Sequence, residues 1–212
     1  MYEENNSQDK PVVIGIDHGF SLMKTKHHIF SNGIVRCNGR PPVVENSFYY
    51  DGGYYCIGGE RKTVHEDKTA DEDFYLLTLV AVAKEIKTRG LPRTLSVVLG
   101  VGVPFKRFGK EQAKLVAYLK RSGTHFIEFE EEDYVITIEN VYCFPRCFAA
   151  DIEGMLDERG FDRAYSNILY VGGGATIMRR FGNARENAAY LEDIRLNAKG
   201  YEILAIHQMN KR

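Results

Sequence analysis

The feature that most constrains the fold is a short apolar run near the start of the chain that ends in a turn signal. Residues Pro11 to Ile16 are rich in β-branched side chains, and Asp17-His18-Gly19 follows them directly. Such a run predicts a buried strand, because β-branched residues pack well on a pleated sheet. A second apolar stretch, from Met23 to Phe30, predicts a returning strand. The segment from Val12 to Thr25 is therefore predicted to be a strand-turn-strand hairpin.

The rest of the chain alternates helix and strand patterns after a third predicted strand. Asn32-Gly33 suits a tight hairpin turn, because its central positions need positive φ, so three antiparallel strands are expected at the start. The further elements predicted are a small inserted lobe at about 41–60, helices at Phe74–Lys87 and Lys110–Arg121, a strand at Thr94–Val101, a hairpin at His125–Ile138, a helix at about Arg146–Leu156, a strand at Asn167–Val171 and a closing helix at Ala188–Met209. This order is typical of an α/β, ribonuclease-H-like core.

Composition indicates a globular protein and limits its partners. Of the 212 residues, 44% are apolar and 27% are charged, and the formal net charge is -1. Such a chain has no surplus of Lys and Arg to attract nucleic acid, so any link to DNA is expected to go through an adaptor protein. The start of the chain lacks the basic and apolar regions of a signal peptide, and no run approaches membrane-spanning length. A cytoplasmic protein without membrane contact is expected.

Residues Ile14 to Thr25 closely resemble the first phosphate motif of the actin-like ATPases, in the version found in the plasmid-segregation ParM or StbA family. The similarity extends to the family's first long helix, a strand end, the adenosine motif and the closing helix, at Asp71–Glu85, Gly100–Pro104, Ile168–Ala175 and Asn197–Tyr201. The resemblance implies an actin-like fold that binds ATP and Mg²⁺ and that self-associates into filaments.

If this segment is a phosphate motif, each of its residues has a physical role. Gly19 permits a tight turn with backbone N–H groups near phosphate oxygens, and Asp17 is expected to hold Mg²⁺ through water. Lys24, with Thr25 beside it, adds a point charge for the outer phosphates. The glycines Gly172, Gly173 and Gly174 are expected to let the backbone lie against the adenosine. The alternative is an ordinary hairpin whose Asp17 caps its own turn.

Two departures from the family bear on activity. Arg146 follows Pro145 where the family usually has a Gln that orients the attacking water, and a guanidinium cannot accept a hydrogen bond. An exposed arginine on the first turn of a helix is the competing interpretation. We interpret the family's long central block, which holds the second phosphate loop, as deleted, since Asp151-Ile152-Glu153-Gly154 lacks the Gly that such a loop needs two residues after the Asp.

We therefore expect a polar tail at 1–10, a near-complete first domain at 11–152 and a remnant of the second domain at 153–212. Two loops grip the phosphates in this family, so the loss of the second phosphate loop predicts weak nucleotide binding and weak or no hydrolysis. A non-catalytic module that caps or co-assembles with a full-length homologue is the alternative function. A sugar kinase of the same superfamily would need a catalytic Asp in the second half, and the sequence offers no candidate. Walker-type loops and serine nucleophile elbows are also absent from the sequence.

Overall fold

Two β-sheets and four α-helices make up the described part of the chain. The computed structural model describes residues 10–19, 21–58, 68–120, 123–146, 167–181 and 187–211. The strands are β1 (Val12–His18), β2 (Leu22–Lys24), β3 (Ile29–Ser31), β4 (Ile34–Cys37), β5 (Ser47–Tyr50), β6 (Gly53–Ile57), β7 (Thr94–Pro104), β8 (Thr124–Phe129), β9 (Glu132–Arg146), β10 (Ile168–Val171) and β11 (Ala188–Leu191). The helices are α1 (Asp73–Arg89), α2 (Phe108–Leu119), α3 (Gly173–Phe181) and α4 (Leu196–Asn210).

The main sheet has nine strands in the order β3-β2-β1-β7-β9-β8-β5-β6-β4, and β10 and β11 form a separate parallel pair. Strands β1, β7 and β9 are parallel to one another, whereas the flanking strands are antiparallel. The carboxyl ends of the three parallel strands therefore meet at one edge of the fold. In open α/β sheets, ligands bind at that edge.

The N-terminal hairpin is present as predicted. Strand β1 pairs with β2, and the register places Asp17 opposite Lys24. The predicted second strand, Met23 to Phe30, is wrong in one respect, because it is interrupted between β2 and β3. The Thr25 N–H donates to the His28 carbonyl at 2.9 Å and turns the chain there.

The predicted pairing across Asn32-Gly33 is also wrong. Strands β3 and β4 flank this dipeptide, yet they lie at opposite ends of the nine-strand order. Strand β4 pairs with β6 instead. The three antiparallel strands expected at the start are β1, β2 and β3, so the third of them ends at Ser31.

A two-residue turn closes the β5–β6 hairpin. Asp51 and Gly52 both have positive φ, of 47° and 74°, as a turn of this kind requires. Strand β5 also pairs with β8, which places this hairpin in the main sheet. The segment at about 41–60, predicted as a small inserted lobe, thus contains a hairpin that pairs with β8.

Strand β9 is longer than the sequence indicates. It runs from Glu132 through Pro145 to Arg146, whereas the sequence pattern predicted a hairpin that ends at Ile138 and a helix that begins at about Arg146. Its parallel pairing with β7 extends to the pair Pro104 and Arg146. The predicted helix start at Arg146 is therefore wrong, and the rest of that helix lies outside the described residues.

Helix α1 supplies much of the hydrophobic core. It begins at Asp73, and Glu72 at its N-cap position makes no side-chain cap bond. Its end is at Gly90, which adopts the left-handed conformation with φ of 60°. Apolar residues on almost all sides of α1 are buried, and they pack with Ile14, Ile16 and Leu99 of the sheet.

Helix α4 covers the opposite face of β1 and β7. Side chains alternate along a strand, so Val13 and Val98 face away from the α1 side, where they pack with Ala205. Glycines permit a close approach: a Cβ added to Gly15 would lie 1.9 Å from the Ala198 carbonyl oxygen. The predicted closing helix is shorter than expected, because its first residues form β11.

Candidate functional site

Asp17 lies near the carboxyl end of β1 and is almost completely buried, with 1% of its surface exposed. The antiparallel register brings Lys24 across from it, and the Lys24 Nζ lies 3.2 Å from Asp17 Oδ2. This ion pair follows directly from the strand-turn-strand sequence, because pairing fixes which residues face each other.

Arg146 completes this arrangement from the end of β9. Its Nη1 donates to Asp17 Oδ1 at 2.9 Å, and only 7% of Arg146 is exposed. The interpretation of Arg146 as an exposed arginine on a helix is thus wrong. From α4, the Asn197 side-chain amide also donates to Asp17 Oδ2, at 3.4 Å.

Lys68 adds a third cationic side chain at this place. It is buried, and its Nζ donates to the backbone carbonyl of His18. Burial, together with the charge of Arg146, lowers the pKa of Lys68 to about 7. Burial also lowers the pKa of His18 to about 3, so the imidazole is neutral near pH 7, where it bonds with Thr78 Oγ1 at 2.8 Å.

The electrostatics of the cluster favour an anion. Burial by itself would raise the pKa of Asp17, but the charges of Arg146, Lys24 and Lys68 outweigh it and hold that pKa below its ordinary value. One carboxylate therefore faces the Arg146 and Lys24 cations, and Lys68 adds part of a charge near pH 7, so the cluster carries a positive excess. Phosphate oxygens are the natural ligands for such a group of Lys and Arg donors.

Gly19 closes the turn after β1. Its N–H donates to the carbonyls of Asp17, at 3.0 Å, and of Leu22, at 3.1 Å. A Cβ at this position would lie 2.4 Å from the Leu22 oxygen and 3.0 Å from Lys24 Nζ. Glycine is therefore required here by close packing, and it leaves room for the Lys24 ammonium.

Thr25 lies apart from the Asp17 cluster. It is fully buried, and its hydroxyl donates to Glu85 Oε1 of α1 at 2.6 Å. Glu85 also accepts hydrogen bonds from the His27 backbone N–H, at 2.9 Å, and lies 2.8 Å from the His27 ring nitrogen Nδ1. Thr25 thus anchors the hairpin to α1, whereas Lys24 faces Asp17.

The triple glycine forms the turn from β10 into α3. Gly172 has φ of 75°, its N–H donates to the Leu191 carbonyl at 2.9 Å, and Gly173 begins the helix. Side chains added at Gly172 and Gly174 would meet nothing within 4 Å. The backbone at Gly173 and Gly174 is exposed, so it is open to a ligand.

The residues at Asp17 do not fit the Mg²⁺ ion expected from the sequence. Both carboxylate oxygens already bond to cationic donors, Oδ1 to Arg146 and Oδ2 to Lys24. A divalent cation would have to displace these charges to reach the carboxylate or its water shell. In the part of the chain that the structure describes, no group of three or more His, Cys, Asp or Glu side chains is placed to hold a metal.

Sequence reasoning missed two residues of the cluster. Lys68 follows a polar stretch with no periodicity, so no local signal singles it out. Asn197 stands in the segment that resembles the closing helix, and its contact with Asp17 is visible only in the folded chain.

The sequence matches a known family over more than half of its length. The family of actin-like proteins, N-terminal domain, matches residues 21–148. A comparison with curated proteins gives no match. Among the helices of the described residues, none is long and apolar enough to cross a membrane.

Solved structures share the fold at low sequence identity. The apo ParM protein of psk41 superposes with a TM-score of 0.67 at 14% identity, over 94% of this chain and 98% of that chain. The Alp12 protein, solved as a filament, gives 0.62 at 12% identity, over 93% and 98%. The actin-like protein Alp7A gives 0.58 at 13% identity, over 94% and 97%. These matches confirm the predicted α/β, actin-like fold, and the chain belongs to the family of actin-like proteins.

Proposed function

We propose that this chain is a nucleotide-binding actin-like protein of the plasmid-segregation type, with ATP as its ligand. The observation that carries the proposal is the cluster at the carboxyl ends of β1 and β9, where Lys24 and Arg146 bond to one buried carboxylate. The phosphates would lie at this cluster, and the nucleoside would lie against the turn from Gly172 to Gly174, where Gly173 and Gly174 are exposed. An excess of cationic side chains at the end of parallel strands is suited to a polyphosphate.

Hydrolysis is expected to be weak or absent. A water molecule that attacks a phosphate needs a hydrogen-bond acceptor to orient it, and the Arg146 guanidinium has only donors. The Asp17 carboxylate could accept a hydrogen bond from water, but it already accepts one from Arg146. Binding without turnover is the behaviour that this chemistry supports.

Calorimetric titration with ATP and with ADP tests the proposal. Lys24→Gln removes a cationic group that is 16% exposed, and we expect at least a tenfold loss of affinity. Lys26→Gln is the matched control, because Lys26 lies two residues away and pairs with Glu202 at 3.0 Å, outside the cluster. Its affinity should equal that of the unmodified chain.

Two results would contradict the proposal. One is the absence of nucleotide binding at millimolar concentrations, with or without Mg²⁺. The other is an affinity that Lys24→Gln leaves unchanged. Rapid phosphate release by the unmodified chain would contradict only the expectation of weak hydrolysis.

A second candidate function is co-assembly with copies of the chain or with a full-length homologue. The pair β10–β11 exposes three large apolar side chains, Leu169, Val171 and Leu191, by 56%, 46% and 49%. A two-stranded sheet is marginally stable by itself, so burial of this surface against another chain would stabilise it. The similar Alp12 protein was solved as a filament. An adaptor protein would then link such an assembly to DNA, since the net charge is -1.

Light scattering of a full-length homologue, with and without this chain, tests co-assembly. We expect the chain to change the polymer mass, and Leu169→Asp to abolish the change. Val43→Asp is the control, because Val43 is 63% exposed and lies outside β10 and β11. An unchanged polymer mass with the unmodified chain would refute co-assembly.

A further inference from the structure

The end of β9 carries the arginine in a fixed position. Arg146 is the last residue of a strand that pairs in parallel with β7, opposite Pro104. Backbone pairing on a buried strand restricts where the side chain can reach, and only 7% of Arg146 remains exposed. Its guanidinium is thus held at Asp17 by the sheet as well as by the 2.9 Å bond.

The Asp17 carboxylate is already surrounded by hydrogen-bond donors from the protein itself. Lys24 lies 3.2 Å from Oδ2, the Asn197 amide donates to the same oxygen at 3.4 Å, and Arg146 bonds to Oδ1. A divalent cation here would face the charge of Arg146 and Lys24 at contact distance, with burial preventing water from screening the repulsion. A phosphate group meets the opposite situation, because the same charges attract it.

We propose that Arg146 supplies the positive charge that a divalent cation would otherwise bring to the phosphates, so that the site takes a metal-free nucleoside di- or triphosphate. The guanidinium is permanently charged, and its planar fork of donors matches phosphate oxygens. This inference rests on the nucleotide site proposed above. It adds that binding is independent of Mg²⁺ and assigns that independence to one residue.

The test is calorimetric titration of the unmodified chain with ATP and ADP, in EDTA and in millimolar Mg²⁺. We expect affinities in EDTA that equal or exceed those in Mg²⁺, because Mg²⁺ occupies the phosphate oxygens that Arg146 would bind. Arg146→Gln should lose at least tenfold in affinity in EDTA and should recover part of it when Mg²⁺ is added. Arg146→Lys, which keeps the charge, should remain independent of Mg²⁺.

Arg93→Gln is the matched control. Arg93 is 57% exposed, pairs with Glu132 at the other end of β9, and should leave both titrations unchanged. Circular dichroism establishes that each variant is folded. A direct measurement that needs no variant is electron paramagnetic resonance of Mn²⁺, and we expect no Mn²⁺ bound by the chain alone.

The outcomes separate the two proposals. Nucleotide binding that requires Mg²⁺, or Mn²⁺ bound by the chain alone, would overturn the role of Arg146 and leave the nucleotide site standing. Binding in EDTA that Arg146→Gln does not weaken would also overturn that role. The absence of binding in either buffer would overturn the nucleotide site, and the role of Arg146 with it.

Discussion

Glycines serve different purposes in two regions of this molecule. In the main sheet, Gly15 and Gly100 lie under α4, and a Cβ added there would lie 1.9 Å from the Ala198 oxygen and 2.3 Å from the Tyr201 oxygen. In the turn after β10, side chains at Gly172 and Gly174 would meet nothing within 4 Å. The first region needs glycine for packing, whereas the second keeps an open backbone surface. One ion pair from each region shows the same difference: the side chains of Arg146 and Asp17 are 7% and 2% exposed, whereas those of Arg179 and Glu192 are 65% and 37% exposed.

Gly15→Ala is expected to have the largest effect. The added methyl group would meet backbone atoms of α4, which cannot move without displacing the whole helix, so a loss of at least about 3 kcal/mol in unfolding free energy is expected. Urea denaturation measures it. Gly39→Ala is the control, since Gly39 has open space around it. A loss below about 1 kcal/mol would mean that α4 does not rest on β1.

Arg146→Ala is expected to cost somewhat less. It leaves the buried Asp17 with Lys24 and Asn197 as its bonding partners, so about 2 to 3 kcal/mol of unfolding free energy should be lost. The exposed pair of Arg179 and Glu192 near the open turn provides the comparison, and Arg179→Ala should give no measurable change. Chemical denaturation measures both losses. If the two substitutions lowered the unfolding free energy equally, the ion pairs of the two regions would not differ in their contribution to stability.

Acid should weaken the hairpin region through Glu85. Burial by itself would raise the pKa of Glu85, but hydrogen bonds from Thr25 and His27 outweigh it and hold that pKa below 4.5. A lowered pKa in the folded state stabilises the protein above about pH 4.5, and this contribution disappears as the pH falls through the folded pKa. Glu85→Gln should therefore flatten the decline in denaturation midpoint between about pH 5 and pH 3.

The exposed Glu192 is the control for the acid experiment. Hydrogen bonds from Arg179 and Thr176 also lower the pKa of Glu192, but solvent screens this exposed pair, so Glu192→Gln should change the pH dependence much less than Glu85→Gln. If Glu85→Gln preserved the full acid decline, other carboxylates would be its source.

Gly174→Ala is expected to have the smallest effect on stability, and of the opposite sign. Gly174 lies in the first turn of α3 with no neighbour within 4 Å, so alanine should stabilise the helix by about 0.5 kcal/mol. If the adenosine lies against this turn, the same methyl group should lower ATP affinity. Calorimetry together with thermal denaturation measures both. Destabilisation would show that the turn is as tightly packed as the sheet.

Local sequence patterns predicted what local geometry determines. The hairpin and the pair Asp17 and Lys24 follow from a strand, a turn and a returning strand. The rule that successive side chains alternate also implies that Lys24 and Thr25 face opposite sides, although the sequence interpretation placed both beside the phosphates. The contact between Thr25 and Glu85 is the structural consequence.

Long-range pairing is what the sequence did not reveal. Pro145 looked like the start of a helix, but parallel pairing with β7 keeps β9 extended through Arg146. Asn32-Gly33 looked like a hairpin turn, but β4 finds a better partner in β6. In both cases tertiary pairing overrode a local preference. The pairing of β9 is the reason why the sequence analysis placed Arg146 on a helix.

The link between β3 and β4 has a mechanical consequence. Asn32 and Gly33 are the only residues between the two edge strands, so the Cα atoms of Ser31 and Ile34 can lie at most about 11 Å apart. The two edge strands of the nine-stranded sheet are therefore held close together, so the sheet must curve. Segments with few buried contacts and exposed backbone hydrogen bonds open locally at low free energy. Here the two-residue link limits how far β4 could move away from β3 if either strand opened.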